Sequence, residues 1–309
     1  MAASGLGGLA IWRYGWWLTH LIRAQIYARA VYPRLSADDA AVWAVGWRPE
    51  RVHILLTTYR ERPATIWLGS REAEDEAVLA RHLDLVSGDL DIELRIIRQS
   101  EPGKRAALGL ALRAMARHGL GARDLVAFMD RDFVLGDEAL LRCLPLFAAA
   151  PALQAVTTDE HVAVEGPAWV RSWLEMRFAQ RRLTMQSHAL PGRVLTLTGR
   201  LSILRASHIT RERFIRLVEA DDLDHWLWGR FRFLSGDGKS TWYGILSTGD
   251  ARMLYVPDAD GATVEVFDDA PVARMRENLL RWSGNKLRNG SRALGPRRMP
   301  RLPMRAASI

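Results

Sequence analysis

Short apolar runs alternate with helix-like segments over residues 50–160, and this alternation constrains the fold more than any other feature. Such runs are typical of buried strands, whereas longer segments with apolar residues every three or four positions are typical of helices. In chain order, the pattern predicts a strand over 52–58, a helix over 70–86, a strand over 92–97, a helix over 106–118, a strand over 125–129, a helix over 138–148 and a strand over 152–158. The alternation predicts an α/β fold with a doubly wound, mixed but mainly parallel sheet and flanking helices. Ligands of such sheets bind at the carboxyl ends of the strands.

The rest of the chain carries longer helical segments and fewer strand signals. The predicted elements are a helix over 167–186, a strand and turn over 193–204, a helix over 211–228, a strand over 253–256 and a helix over 272–282. Neither an internal repeat nor a low-complexity linker interrupts the pattern. We therefore expect one continuous domain over residues 50–270.

The two ends of the chain have the composition of segments that meet an anionic surface. Residues 5–32 mix aromatic side chains with arginines, which suits either the headgroup layer of a membrane or an amphipathic helix docked on the domain. The formal charge is +8, and residues 286–309 are basic without any Asp or Glu. Such a basic tail is typical of a solvated chain end or a membrane-surface patch rather than of a segment that recognises a nucleic-acid sequence. No uncharged apolar run reaches about 18 residues, so no transmembrane helix is predicted. We assign residues 1–35 to an amphipathic membrane-proximal segment and 271–309 to an interface helix with a basic tail.

Two carboxylates follow the strand predicted over 125–129, in the triplet Asp130-Arg131-Asp132. Acids spaced in this way can hold a hard divalent cation, which in turn neutralises a diphosphate leaving group. Most Asp-x-Asp triplets lie in surface loops and bind no metal. Here a buried strand delivers both acids to the ligand edge of the sheet, so Asp130 and Asp132 are the candidate metal ligands.

A basic turn, Gly103-Lys104-Arg105, opens the helix predicted over 106–118. Glycine permits close backbone approach, and the two cations add to the positive end of the helix dipole, so the turn suits a phosphate. An ordinary basic first turn would have the same composition. The spacing of an ATPase P-loop is missing.

Two further groups lie in the second half of the chain. Four acids are crowded into residues 219–224, and Asp222 or Asp221 could accept a proton from an acceptor hydroxyl; a solvated helix start is the competing interpretation. In Arg281-Trp282, the guanidinium could brace a pyrophosphate while the indole faces a sugar ring. A core tryptophan that happens to follow a surface arginine would give the same dipeptide in the sequence.

The order of these four motifs resembles that of the processive inverting family-two glycosyltransferases, which include the cellulose, chitin and hyaluronan synthases. Their shared order is a GKR-type turn, a DxD, a TED or GDD acid motif and QxxRW. The matching segments here are 103–105, 130–132, 219–222 and 278–282. Further stretches are similar to the catalytic subunits of bacterial alginate (mannuronan) synthases: 157–160, 177–181, 193–200, 224–226, 236–242, 253–258 and 281–288.

The resemblance implies a GT-A fold and an inverting transfer that extends mannuronan from GDP-mannuronate. It implies a divalent metal, Mg²⁺, at Asp132 and Asp130, and a catalytic base at Asp222 or Asp221. The residues implied to bind the nucleotide-sugar are Lys104, Arg105, Asp130, Asp132, Arg281 and Trp282. The residues implied to meet the acceptor are Thr198, Gly199, Arg200 and Trp282. It also implies a place at the cytoplasmic face of the bacterial inner membrane and a co-polymerase subunit that senses cyclic di-GMP.

Two alternatives stay open. The first keeps the chemistry and changes the donor to a UDP-sugar, as in synthases of the hyaluronan, chitin or cellulose type. The second is a non-catalytic basic protein that binds a membrane surface. No nucleic-acid partner is expected.

Overall fold

The structure, a computed structural model, describes residues 2–55, 64–70, 73–87, 92–98, 103–130, 132–225, 229–232, 236–248, 251–267 and 270–294. The strands are β1 (Val52–Leu55), β2 (Ala64–Ser70), β3 (Ile92–Arg98), β4 (Leu125–Met129), β5 (Phe133–Leu135), β6 (Leu153–Thr158), β7 (His161–Glu165), β8 (Leu201–Arg205), β9 (Asp222–His225), β10 (Gly229–Arg232), β11 (Arg252–Val256) and β12 (Gly261–Val266). The helices are α1 (Ala2–Ile26), α2 (Tyr32–Ser36), α3 (Asp39–Ala44), α4 (Ala73–Ser87), α5 (Lys104–His118), α6 (Ala139–Cys143), α7 (Leu146–Ala149), α8 (Ala168–Ala189), α9 (Ala206–Ile209), α10 (Glu212–Glu219), α11 (Asp237–Leu246) and α12 (Pro271–Leu294). A π-helical turn, Tyr27–Val31, joins α1 to α2.

A seven-stranded sheet forms the centre of the molecule, in the order β11-β6-β8-β4-β1-β2-β3. Strand β8 runs antiparallel to both of its neighbours, β4 and β6, while the other neighbouring strands are parallel. Every residue of β4, the middle strand of this sheet, is buried. The predicted α/β class with a mixed, mainly parallel sheet is confirmed.

Smaller sheets lie beside the central one. Strands β5, β12 and β7 form a three-stranded sheet, and β9 pairs with β10 in an antiparallel hairpin. The hairpin corrects the helix predicted over 211–228: α10 ends at Glu219, and Ala220 leaves the helical conformation with φ −136° and ψ 55°. Pairing between Asp222 and Arg232 then extends the backbone, which a helical pattern read from one segment alone does not anticipate.

Two other predicted elements differ in their bounds. The helix predicted over 138–148 is divided into α6 and α7, and Pro145 stands between them as the N-cap of α7. Proline lacks an amide hydrogen, so it suits a helix start and interrupts a helix interior. The strand predicted within 193–204 begins only at Leu201, after a loop.

The N-terminal helix docks on the domain. Helix α1 packs against α8, and His20 and Arg23 both bond to Ser187, with Arg23 Nη2 donating to the Ser187 carbonyl at 3.0 Å. Tyr27 donates its buried hydroxyl to the Tyr255 carbonyl at 2.5 Å, which ties the helix to β11. Among the described residues, no helix combines the length and the apolar composition that crossing a membrane requires.

Candidate active site

A pocket lies at the carboxyl end of β4, where three chain segments meet. Asp130 directly follows β4, Lys104 is the first residue of α5, and Asp237 is the first residue of α11. The Lys104 ammonium forms an ion pair with Asp130 and lies 2.9 Å from Asp237 Oδ2. All three residues line the pocket. The two sequence-predicted residues Lys104 and Asp130 are therefore together at the ligand edge of the sheet, as expected for this topology.

The turn at 198–200 forms one wall of the pocket. Its backbone is held by Thr198, whose amide donates to the Thr157 hydroxyl at 3.3 Å, and the Arg200 carbonyl accepts a bond from the Asp130 amide at 3.3 Å. A Cβ atom at Gly199 would lie 2.9 Å from Asp130 Oδ2 and 3.1 Å from Lys104 Nζ. Only glycine therefore allows the ion pair to approach this backbone so closely. Thr198 and Gly199 both line the pocket.

Ion pairing in this pocket favours the charged forms of both Lys104 and Asp237. Partial removal from water would lower the pKa of Lys104, but the carboxylates of Asp237 and Asp130 raise it above its ordinary value. For Asp237, burial alone would raise the pKa, and the neighbouring Lys104 ammonium lowers it below its ordinary value. At neutral pH the Asp237 carboxylate is therefore ionised.

Arg105 turns away from this pocket, although the sequence pointed to it as a phosphate ligand. Its guanidinium is buried and donates to the Val218 carbonyl at 2.7 Å and to Ser240 Oγ at 2.9 Å. Ser240 in turn donates to Asp221 Oδ2 at 2.5 Å. Arg105 and Asp221, two sequence-predicted site residues, thus meet through one buried serine.

The two candidate bases lie outside the Lys104 pocket. Asp221 is 1% exposed and belongs to the serine network, and Asp222 pairs with Arg230, whose Nε is 2.8 Å from Asp222 Oδ2. Both carboxylates line a different pocket, on another face of α11. Among the described residues that line the Lys104 pocket, the carboxylates are those of Asp130 and Asp237. The acid that faces Lys104 beside Asp130 is therefore Asp237 rather than Asp221 or Asp222.

Asp237 was missed because a single acid between two glycines is a weaker signal than four crowded acids. The segment Gly236-Asp237-Gly238 is nevertheless a second possible register for the GDD-type motif of the family. The structure also explains its glycines. Gly236 has a φ of 83°, in the left-handed region, and a Cβ atom at Gly238 would collide with the Leu197 carbonyl.

The predicted metal ligands are only partly brought together. Asp132 is exposed, and Arg131 lies outside the described residues. No group of three or more His, Cys, Asp or Glu side chains that could hold a metal occurs in the described part of the chain. Asp130 and Asp237, however, both face the single ammonium of Lys104. Two carboxylates that converge on one cation fit a divalent ion whose other ligands are phosphate and water oxygens.

Arg281 and Trp282 lie on α12, beside rather than within the Lys104 pocket. Trp282 stacks on Trp173 of α8, with ring centroids 6.3 Å apart, and Arg281 donates to Asn278 Oδ1 at 3.0 Å. One turn further along α12, Asn285 lies against the start of α11, because a Cβ atom at Gly236 would be 3.0 Å from Asn285 Oδ1. The helix therefore passes next to the segment that carries Asp237.

Arg200 is held by a buried acid that no sequence motif assigned. Its guanidinium lies 3.0 Å from Glu160 Oε2 and 3.3 Å from Glu265 Oε1. Glu160 also pairs with Arg181 of α8, with Nη2 and Oε1 at 2.8 Å. The predicted acceptor residue Arg200 thus joins the pocket wall to α8 and β12.

Comparisons with known proteins agree with this geometry. Residues 52–285 match the family described as "Glycosyltransferase like family 2". The chain is 34% identical to "Glycosyltransferase alg8" of Pseudomonas syringae pv. tomato over 94% of its own length and 63% of that protein, and 33% identical to "Glycosyltransferase alg8" of Azotobacter vinelandii over 94% and 62%. It thus spans less than two thirds of these curated relatives.

A solved structure, described as "Crystal Structure of a Mycobacterial Protein", aligns over 81% of this chain and 78% of that one, at 12% identity and a TM-score of 0.38. These values are too low to bear on the function. The family match covers the central sheet, the Lys104 pocket and helix α12 up to Asn285. The chain therefore belongs to glycosyltransferase-like family 2.

Proposed function

We propose that this chain transfers a sugar from a nucleoside diphosphate to a hydroxyl of a growing polysaccharide, with inversion at the anomeric carbon. The observation that carries the proposal is the convergence of Lys104, Asp130 and Asp237 in one pocket at the carboxyl end of β4. A transferase of this class needs positive charge for a diphosphate and a carboxylate for a hydroxyl. This pocket offers both.

Asp237 is the residue to which we assign proton abstraction, in place of Asp221 or Asp222. Its carboxylate is ionised and faces the pocket. The acceptor oxygen forms a bond to the anomeric carbon as the bond from that carbon to the diphosphate oxygen breaks. The hydroxyl proton passes to Asp237, and the nucleoside diphosphate leaves. One direct displacement inverts the configuration.

Lys104 and Asp130 are the residues to which we assign the diphosphate end of the donor. Lys104 is held by two carboxylates and would turn one of these contacts toward a phosphate oxygen. Asp130, with Asp132 two residues further along the chain, would hold Mg²⁺. When bound, such an ion supplies positive charge to the leaving diphosphate. The neighbouring turn at 198–200 and helix α12, which carries Trp282, would bind the acceptor.

GDP-mannuronate is the donor we propose, and mannuronan, the precursor of alginate, is the product. Support comes from the names of the two relatives and from the alginate-synthase-like segments of the sequence. An acidic product also suits a chain of formal charge +8. We further propose that the protein works at the cytoplasmic face of the bacterial inner membrane, beside a subunit that senses cyclic di-GMP.

The test measures release of nucleoside diphosphate from a panel of GDP- and UDP-sugars, with Mg²⁺ and with chelator. Asp237→Asn is expected to lower turnover by about 10²–10⁴-fold, the usual contribution of a general base. The matched variant is Asp222→Asn, whose partner Arg230 lies outside the pocket; we expect it to retain most of the activity. Loss with Asp222→Asn and retention with Asp237→Asn would overturn the assignment. Turnover of a UDP-sugar alone would overturn the donor.

A further inference from the structure

We propose that Arg105, Ser240 and Asp221 form a positioning network that sets the orientation of Asp237 toward Lys104. This inference rests on the proposed function, because it concerns the residue to which that function assigns the proton. None of the three side chains needs to touch substrate. They act through the two helix starts that carry the reactive groups.

The covalent connections of the network make it suited to this task. Arg105 follows Lys104 directly in the first turn of α5, and Ser240 lies in the first turn of α11, three residues after Asp237. The serine hydroxyl accepts a bond from Arg105 at 2.9 Å and donates one to Asp221 at 2.5 Å. The helix start that carries Lys104 and the helix start that carries Asp237 are therefore joined by one hydroxyl.

Burial makes this connection rigid. Ser240 and Asp221 are each 1% exposed, and Arg105 is 7% exposed. A buried charge that loses its partner is strongly destabilised, so the network strongly favours one arrangement. Arg105 also donates to the Val218 carbonyl at 2.7 Å, which adds the end of α10 as a third point of attachment. Together these contacts restrict both the position and the tilt of α11.

The chemistry of the pocket depends on that position. The ammonium of Lys104 lies 2.9 Å from Asp237 Oδ2. A shift of about 1 Å in a reacting group can reduce turnover by about a hundredfold. A displaced α11 would also weaken the contact with Lys104. The Asp237 carboxylate would then lie away from the position at which it meets the acceptor hydroxyl.

Ser240→Ala tests the network in the full-length protein, because it removes the joining hydroxyl and leaves both charges. We expect kcat to fall by about tenfold or more, while the affinity for the free nucleoside diphosphate stays near that of the wild type. Ser247→Ala is the matched control, since Ser247 caps the other end of α11 and donates to Gly244 at 2.9 Å; we expect it to leave both readouts unchanged.

Two further variants keep the test decisive. Ser240→Thr retains the hydroxyl and is expected to restore most of kcat. If Ser240→Ala does not fold, Arg105→Lys serves instead, because it keeps the charge and loses the planar fork that reaches two acceptors. A kcat equal to that of the wild type in the folded variant would overturn the inference. If Asp237→Asn is active in the same assay, the proposed function itself fails; if Asp237→Asn is inactive and Ser240→Ala resembles the wild type, only the positioning role fails.

Discussion

Close backbone packing around two glycines shapes the pocket at the residue scale. Gly199 lies against the Lys104–Asp130 ion pair, and Gly238 lies under the Leu197 carbonyl. The backbone of the 198–200 turn cannot yield as a flexible side chain would. A side chain at Gly238 must therefore displace either the Leu197 backbone or the start of α11, whereas one at Gly199 would displace the ion-paired side chains of Asp130 and Lys104.

Gly238→Ala is expected to lower both stability and turnover. The added methyl group would collide with the Leu197 carbonyl, and overpacking of this kind costs about 1–3 kcal/mol. Urea titration of the two proteins would measure the loss. Gly15→Ala is the control, because nothing lies within 4 Å of the position in α1, and there alanine favours the helix by up to about 1 kcal/mol. Equal urea midpoints for Gly238→Ala and the wild type would contradict this account.

Cys143 is expected to be inert toward thiol reagents in the native protein. The side chain is fully buried, and burial raises the pKa of the thiol well above its ordinary range. The reactive thiolate is therefore nearly absent at mildly alkaline pH. Labelling with iodoacetamide, followed by mass spectrometry, should modify Cys143 only after urea unfolding. Rapid labelling without denaturant would show that the core around α6 opens.

The sequence predicted some of the site residues and not others, for a physical reason. Lys104 and Asp130 stand at the ends of strongly patterned elements, so their places followed from the topology. Charge crowding over 219–224, in contrast, does not tell where each carboxylate points. Asp221 is buried against Ser240, and Asp222 pairs with Arg230. Both partners lie outside the acid cluster, so the composition of the cluster does not predict these contacts.

At the scale of elements, buried ion pairs join the pocket wall to α8. Glu160, 2% exposed in its side chain, contacts both Arg181 and Arg200. Burial alone would raise the pKa of Glu160, but the two guanidinium groups lower it below its ordinary value. A lowered pKa in the folded state means that the ionised form stabilises the fold above the unfolded pKa. That stabilisation is lost as the pH falls through the folded pKa.

Glu160→Gln is expected to destabilise the protein at neutral pH by about 3–5 kcal/mol, because two arginines lose a buried partner. The difference in melting temperature from the wild type should shrink at acidic pH, as the pH falls below the ordinary range of a glutamate carboxyl and Glu160 itself becomes protonated. Glu138→Gln is the matched control. Its pair with Arg142 is an exposed i,i+4 contact and is worth less than about 1 kcal/mol. A melting difference for Glu160→Gln that does not change with pH would argue against the ion-pair explanation.

The elements that the sequence predicted well are those whose own pattern determines them. Strand β4 is wholly apolar and buried, and β3 and α5 lie within a few residues of their predicted bounds. Strand β9 was predicted as helix, because its extended conformation is stabilised by pairing with β10. The break at Pro145 between α6 and α7 was present in the sequence and could have been predicted.

At the scale of the whole molecule, one helical layer leaves an apolar surface open. Helix α1 packs on α8 through His20 and Arg23, while its opposite face is exposed. The large exposed side chains of this layer are Tyr14, Trp16, Trp17, Leu18, Leu21, Ile22, Ile26, Trp169 and Met176. A helix that docks on the domain by one face and exposes aromatic and aliphatic residues on the other suits a membrane surface. The two interpretations of residues 5–32 are thus compatible.

Replacement of Leu18 and Ile22 by glutamine is expected to weaken vesicle binding. These side chains are 56% and 51% exposed, so their loss should leave the melting temperature nearly unchanged. Each would bury apolar area worth about 1.5–3 kcal/mol in the interface, and their joint loss should lower partitioning by more than about tenfold. Flotation with phosphatidylcholine vesicles, with and without phosphatidylglycerol, measures the effect. Val45→Gln is the control, since Val45 is 81% exposed and follows α3. Equal flotation of the double variant and the wild type would mean that this face does not meet the bilayer, and the aromatic layer would then need another partner.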